Sequence, residues 1–143
     1  GSLETARAIA MLSYRNYHMY SRTQTEEDDR IENFKAASYQ RYQGEKLKKR
    51  FDANAYHVLS RAMDSHNVGR GRVSMKQALS NITARTLVVG ISSDILFPVH
   101  EQQFIAANIP GAVYEEIDSP YGHDGFLIET DQITALLNKH LKI

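Results

Sequence analysis

The spacing of apolar positions changes character once along this chain, near Ile82. Before that point it is helical. Residues 3–20 contain neither Gly nor Pro, and Leu3, Ala6, Ala10, Tyr14 and Tyr17 fall on one stripe, which predicts a helix. The polar stretch 21–25 ends that pattern. Glu26, Glu27, Asp28 and Asp29 then place negative charge where the positive end of a helix dipole favours it, which predicts a helix start, and Ile31, Phe34, Ala37 and Tyr39 follow as apolar positions. Residues 36–50 predict a further helix with Tyr39, Tyr42 and Leu47 inward and the cations Lys46, Lys48, Lys49 and Arg50 at its end. Asp52 is placed to cap another, which carries Tyr56, Leu59 and Met63 on one side and closes near Asp64. Residues 66–73, with Gly69 and Gly71, read as a loop, and Ser74 as the cap of a short helix ending at Ser80.

After Ile82 the apolar runs become short and β-branched. A strand over 85–91, a helix over 99–108, a turn at Pro110-Gly111, a strand over 113–117 and a helix over 131–141 make two successive strand-helix units. The fold class is therefore α/β, with a helical lid or cap region over 1–81 and strand-helix units over 82–143. Leu87, Val88 and Val89 send side chains to both faces of their strand, and a parallel sheet of two strands is too small to stand alone. The expectation is that further strands complete it, from another chain or through an oligomer, with the helical half as an insertion capping the sheet edge.

Each strand leads into a loop that carries one ionisable residue. Asp94 follows Ser92-Ser93, and His123 sits in Asp118-Ser119-Pro120-Tyr121-Gly122-His123-Asp124. If the strands are parallel neighbours, both loops leave the sheet edge at which open α/β sheets bind ligands. An Asp and a His there suggest the orienting and base members of a nucleophilic triad. The third member would be a serine on a sharp turn after an earlier strand, and the sequence holds no Gly-x-Ser-x-Gly elbow. The expectation is the C-terminal part of a longer enzyme. A plainer reading stands beside each residue: Asp94 as a loop aspartate bonded to its own backbone, His123 as a polar surface group, and Asp124 as the cap of a short helix beginning Gly125-Phe126.

Composition narrows the chemistry. Seventeen basic and seventeen acidic residues cancel, so no overall charge draws the chain to nucleic acid or to an anionic membrane. The absence of cysteine removes a disulfide framework, a thiolate nucleophile and a Cys-ligated metal, and favours a cytoplasmic address. His18, His57, His66, His100 and His140 show no metal-ligand spacing, so no metal is expected. No apolar run approaches the roughly 20 residues of a membrane span.

The segments Val89-Gly90-Ile91-Ser92-Ser93-Asp94-Ile95-Leu96-Phe97-Pro98 and Ser119-Pro120-Tyr121-Gly122-His123-Asp124 resemble those of the homoserine O-acetyltransferases, α/β-hydrolase-fold enzymes of methionine biosynthesis. The resemblance extends through Ala6-Arg7, Ser13-Tyr14-Arg15, Tyr42-Gln43-Gly44-Glu45-Lys46, Arg50-Phe51-Asp52-Ala53-Asn54-Ala55-Tyr56 and Arg61-Ala62-Met63-Asp64, and so covers essentially the whole chain. It implies that Asp94 is the triad acid, that His123 is the general base, and that Arg7, Tyr14 and Asp124 contact the amino-acid substrate. It implies acetyl-CoA as acyl donor, no permanently bound cofactor, and an acetyl group passed to a serine and then to the homoserine hydroxyl. The serine elbow and oxyanion hole would lie in the family's N-terminal half, and the capping helices, over 36–63, would build a homodimer. The residues suit that substrate: Arg7 can grip a carboxylate with two parallel bonds, Asp124 can accept from an ammonium, and His123 can take a hydroxyl proton. Alternatives are a relative using a succinyl donor or serine as acceptor, a plain esterase of the same fold, and an inert helical association fragment.

Overall fold

A computed structural model describes residues 1–141 of the chain. The chain divides into two units, Gly1–His66 and a second beginning at Asn67.

The first unit is helical: α1 (Ser2–Tyr14), α2 (Tyr17–Gln24), α3 (Lys35–Arg50) and α4 (Ala53–Asp64). The single helix expected over 3–20 is in fact two. Asn16 adopts an extended conformation and its side-chain oxygen accepts from the His18 amide at 2.9 Å, which starts α2 afresh. Asn competes with the helical backbone in this way, a preference that apolar spacing does not register. The polar stretch after Tyr20 continues α2 rather than breaking it, because Thr23 and Thr25 return their hydroxyls to the carbonyls of Met19 and Ser21, at 3.0 and 2.6 Å.

The acidic run opens no helix of its own. Asp28 grips Arg30 with both oxygens, at 2.6 and 2.8 Å, and that guanidinium holds the Asp28 carboxyl down at about 2. Glu26 instead accepts from the backbone amide of Lys35, the first residue of α3. The negative charge does serve a helix start, but one nine residues further along.

Helices α1 and α3 approach to backbone contact at Gly44, where an added Cβ would lie 3.0 Å from Glu4 Cα and Cβ. Met11 and Leu47 are the buried apolar residues of these two helices, and Lys48 reaches Glu4 Oε1 at 3.1 Å. Gly44→Ala therefore sets two effects against each other. Alanine is the better helix former by about 1 kcal/mol, whereas overpacking a tight contact costs about 1–3 kcal/mol. Backbone on one side leaves little room for relief, so net destabilisation is expected in urea or thermal unfolding of a full-length enzyme carrying this segment. A variant of equal or greater stability would show that α1 can draw back at no cost. Asp52 caps α4 as expected, accepting from the Asn54 and Ala55 amides, both at 2.9 Å.

The second unit holds α5 (Met75–Ser80), β1 (Leu87–Ile91), α6 (Val99–Asn108), β2 (Val113–Ile117), a 3-10 turn at Gly122–Asp124, α7 (Gly125–Ile128) and α8 (Thr130–Leu141). Ser74 caps α5, accepting from the Gln77 amide at 3.1 Å. Because α5 packs on α6, the unit begins at Asn67, whereas the change in sequence pattern lies near Ile82.

Strands β1 and β2 pair in parallel, Leu87 opposite Val113 through Ile91 opposite Ile117, with α6 as the crossover. Both strands thus end level, and the loops carrying Asp94 and His123 leave the same edge. Leu79, Ile91, Ile109 and Ile117 form the buried apolar core of this unit. At Gly90 an added Cβ would lie 2.6 Å from the Tyr114 hydroxyl, so a larger residue there would displace that ring. On β2, Glu115 holds α8 through Lys139 Nζ at 2.8 Å and His140 Nε2 at 2.6 Å, and these bonds keep its carboxyl below the usual carboxylate range.

Candidate active site

Asp94 lies three residues beyond β1 and is buried. Its two oxygens have separate duties. Oδ1 accepts from the backbone amides of Leu96 at 2.8 Å and Phe97 at 2.9 Å, which folds the loop around the carboxylate. Oδ2 faces the other way and meets His123 Nδ1 at 2.8 Å. The plain reading of Asp94 and the sharp one therefore hold together, one oxygen each.

His123 comes from the 3-10 turn after β2, which Gly122 enters with φ +64°, a left-handed conformation that glycine adopts without a Cβ penalty. An ionised carboxylate can only accept, so the bonded Nδ1 carries the proton and Nε2 is the ring nitrogen able to take one. Burial follows the same division: the Asp94 side chain is 6% exposed and that of His123 21%, so the orienting group is shielded and the base reaches the surface. Phe97 and Phe126 stand against the imidazole, ring centres at 5.0 and 5.3 Å. With Val89, Ile91 and Gln102 they line a hollow into which the pair opens.

The two loops are stitched by hydroxyls. Ser92 Oγ donates to Asp118 Oδ1 at 2.9 Å and accepts from the Ser119 amide at 3.2 Å. Ser93 Oγ donates to the Ser119 carbonyl and accepts from the Gly122 amide at 2.9 Å. Buried Ser119 in turn accepts from the Tyr121 amide at 3.2 Å. Gly125 seals the arrangement from the α7 side, for a Cβ there would meet Ser119 Oγ at 2.9 Å and Ile91 Cγ2 at 3.1 Å. Sequence reasoning passed over Ser92, Ser93, Phe97 and Phe126. The available signal was two hydroxyl residues between a strand end and a loop acid.

Asp124 directly follows the base and stands at the N-terminus of α7, but its side chain makes no capping bond to that helix. The helix of the plain reading is present and its cap bond is not. Arg7 and Tyr14 belong to the first unit, where they share a face of α1 with the guanidinium 5.2 Å from the centre of the tyrosine ring. Among the described residues no group of three or more His, Cys, Asp and Glu could hold a metal ion, and no helix is long and apolar enough to cross a membrane.

No family model matches the chain. Over 135 residues, 94% of its length, it is 50% identical to the homoserine O-acetyltransferase of Cyclobacterium marinum, and over 134 residues 46% identical to that of Chlorobaculum parvum. The chain spans about 38% of the length of these curated relatives. Among solved structures it matches the homoserine O-acetyltransferase from Bacillus anthracis with a TM-score of 0.87 at 18% identity, over 99% of this chain and 41% of that one. It matches esterase E22 with a TM-score of 0.81 at 16% identity, over 97% and 41%. At such identities the likeness is one of fold: these are the helical region and C-terminal strand-helix units of an α/β-hydrolase fold.

Proposed function

We propose, on the premise that this chain has its sequence kin among the homoserine O-acetyltransferases, that it carries the acid and the base of an acyl-transfer triad completed by a serine elsewhere in the full enzyme. The observation that carries the proposal is the 2.8 Å bond between His123 Nδ1 and the buried Asp94 carboxylate at the shared end of two parallel strands.

In the first half-reaction His123 Nε2 takes the serine proton as the serine oxygen attacks the thioester carbonyl of acetyl-CoA. The carbon-sulfur bond breaks, and the imidazolium returns the proton to the departing thiolate. In the second, Nε2 takes the proton of the homoserine hydroxyl, whose oxygen attacks the acyl-serine, and the serine oxygen leaves with that proton. Asp94 keeps the ring in the required tautomer and stabilises the imidazolium in both. Arg7 takes the amino-acid carboxylate, Tyr14 contacts the same substrate and Asp124 accepts from its ammonium, no resident cofactor is needed, and the enzyme works in the cytoplasm on the route to methionine. A dimer formed through α3 and α4 belongs to the same reading, supported by the exposed Val58, Leu59 and Met63 and by Tyr42, which is exposed rather than inward as its spacing predicts.

The test is a chimera in which this chain replaces the matching segment of the Cyclobacterium marinum enzyme. Release of CoA from acetyl-CoA that depends on homoserine is expected. The likeness to esterase E22 favours a second reading, a plain esterase, and a folded chimera that cleaves a simple ester while ignoring homoserine would establish it instead. In the active chimera Arg7→Ala removes charge-assisted bonds worth about 1.5–3 kcal/mol. The KM for homoserine should therefore rise about tenfold or more, with the acyl-enzyme forming at the parental rate. Equal loss with both substrates would take Arg7 out of the acceptor site.

A further inference from the structure

The turn that delivers His123 is Ser119-Pro120-Tyr121-Gly122, with proline second, glycine fourth and Tyr121 at φ −91°, ψ 2°. Those are the residues and the third-position dihedrals of a type I turn, in which the first carbonyl faces the fourth amide. The Ser93 hydroxyl engages both groups at once, donating to Ser119 O and accepting from the Gly122 N–H at 2.9 Å. It comes from the opposite loop, next to Asp94, and the residue after Gly122 is His123. Two successive cross-loop ties therefore run side by side: Ser93 to the turn, and Asp94 to the imidazole.

From this geometry we infer that Ser93 is a positioning residue, whose hydroxyl holds the 119–122 turn against the β1 loop so that His123 Nδ1 meets Asp94. The inference rests on the acid-base reading above. The mechanism is a choice between partners. Gly122 is buried, and a buried amide left without an acceptor is strongly disfavoured. Without the Ser93 hydroxyl, the Gly122 N–H and the Ser119 carbonyl satisfy each other, which closes the turn on itself and draws Gly122 away from the β1 loop. His123 is attached one residue on and moves with it. Ser92 bonds further back, to Asp118 and the Ser119 amide, and leaves the closing groups of the turn untouched.

The test has two arms. In the first, the Nδ1 proton of His123 is followed by NMR in the chimera and in its Ser93→Ala and Ser93→Cys variants. The resonance should be present in the parent and be lost or broadened in Ser93→Ala. Cysteine fills nearly the same space with a much weaker donor and acceptor, so Ser93→Cys should fold and give a weakened resonance. In the second arm the same proteins are assayed for acetyl transfer. A kcat about tenfold lower for Ser93→Ala, with KM for acetyl-CoA and homoserine within about twofold, is the signature of a misplaced base rather than of lost binding. An unchanged resonance and kcat in Ser93→Ala, or in Ser93→Cys should the alanine variant not fold, overturns the inference. If the parent chimera proves inactive, the acyl-transfer reading fails, while the resonance still decides the role of Ser93.

Discussion

His123→Ala in the chimeric enzyme is expected to lower acetyl transfer by about a thousandfold or more, because both half-reactions pass a proton through the same nitrogen. General-base assistance alone contributes about a hundred- to ten-thousandfold per step. Acyl-enzyme formation should fail first, so a quench at early times finds no acetylated serine. The stability change should be small by comparison. His123 is partly exposed, and its removal leaves Asp94 Oδ1 still holding the Leu96 and Phe97 amides. A large loss of activity in a protein that still unfolds cooperatively near the parental midpoint is therefore the expected pattern. Transfer at near-parental rate would remove His123 from the chemistry, whatever its distance from Asp94.

The part of this chain most legible in its sequence is the strand-helix grammar after Ile82. The β2 run and the α6 segment are each bounded by turn residues, and they fall at Val113–Ile117 and Val99–Asn108 as expected. Their limits are legible because Pro98, Pro110-Gly111 and Pro120 mark where helix and strand must stop, although β2 itself reads Val-Tyr-Glu-Glu-Ile rather than as an apolar run. What escaped depends on where single side chains point. Asn16 splits a helix by bonding its own backbone, and Glu26 stabilises a helix start nine residues away, across a loop whose path no spacing rule supplies.

The site shows the same division. That Asp94 and His123 would leave one sheet edge followed from strand order. That a single carboxylate would both fold its loop and orient the base did not, since the two readings are rivals in sequence and become compatible only once its oxygens are resolved. Ser93 is less visible still. A serine beside an acid is ordinary, and its meaning lies in two backbone groups 26 and 29 positions away.

Because the Asp94 oxygens are divided between structure and chemistry, Asp94→Asn and Asp94→Ala should separate the two. In Asp94→Asn the retained carbonyl oxygen can still accept from the Leu96 and Phe97 amides, so the loop keeps its shape. The new amide group then faces His123 Nδ1 as a donor. Nδ1 must accept, the ring proton moves to Nε2, and the nitrogen that should take a proton already has one. A fall in kcat of about ten-thousandfold is expected, the size seen when a triad base is held in the wrong tautomer, with stability changed by only about 1 kcal/mol. Asp94→Ala removes all three bonds and strands two loop amides, so it should lose activity and in addition about 2–4 kcal/mol of stability. The pair of variants distinguishes what either alone leaves ambiguous. If Asp94 were only a staple for its loop, the asparagine variant would keep most of its activity and the alanine variant would lose it through misfolding. If the carboxylate sets the tautomer, both are inactive and only alanine is unstable. A folded Asp94→Asn chimera working within tenfold of the parent would therefore reduce Asp94 to its loop bonds.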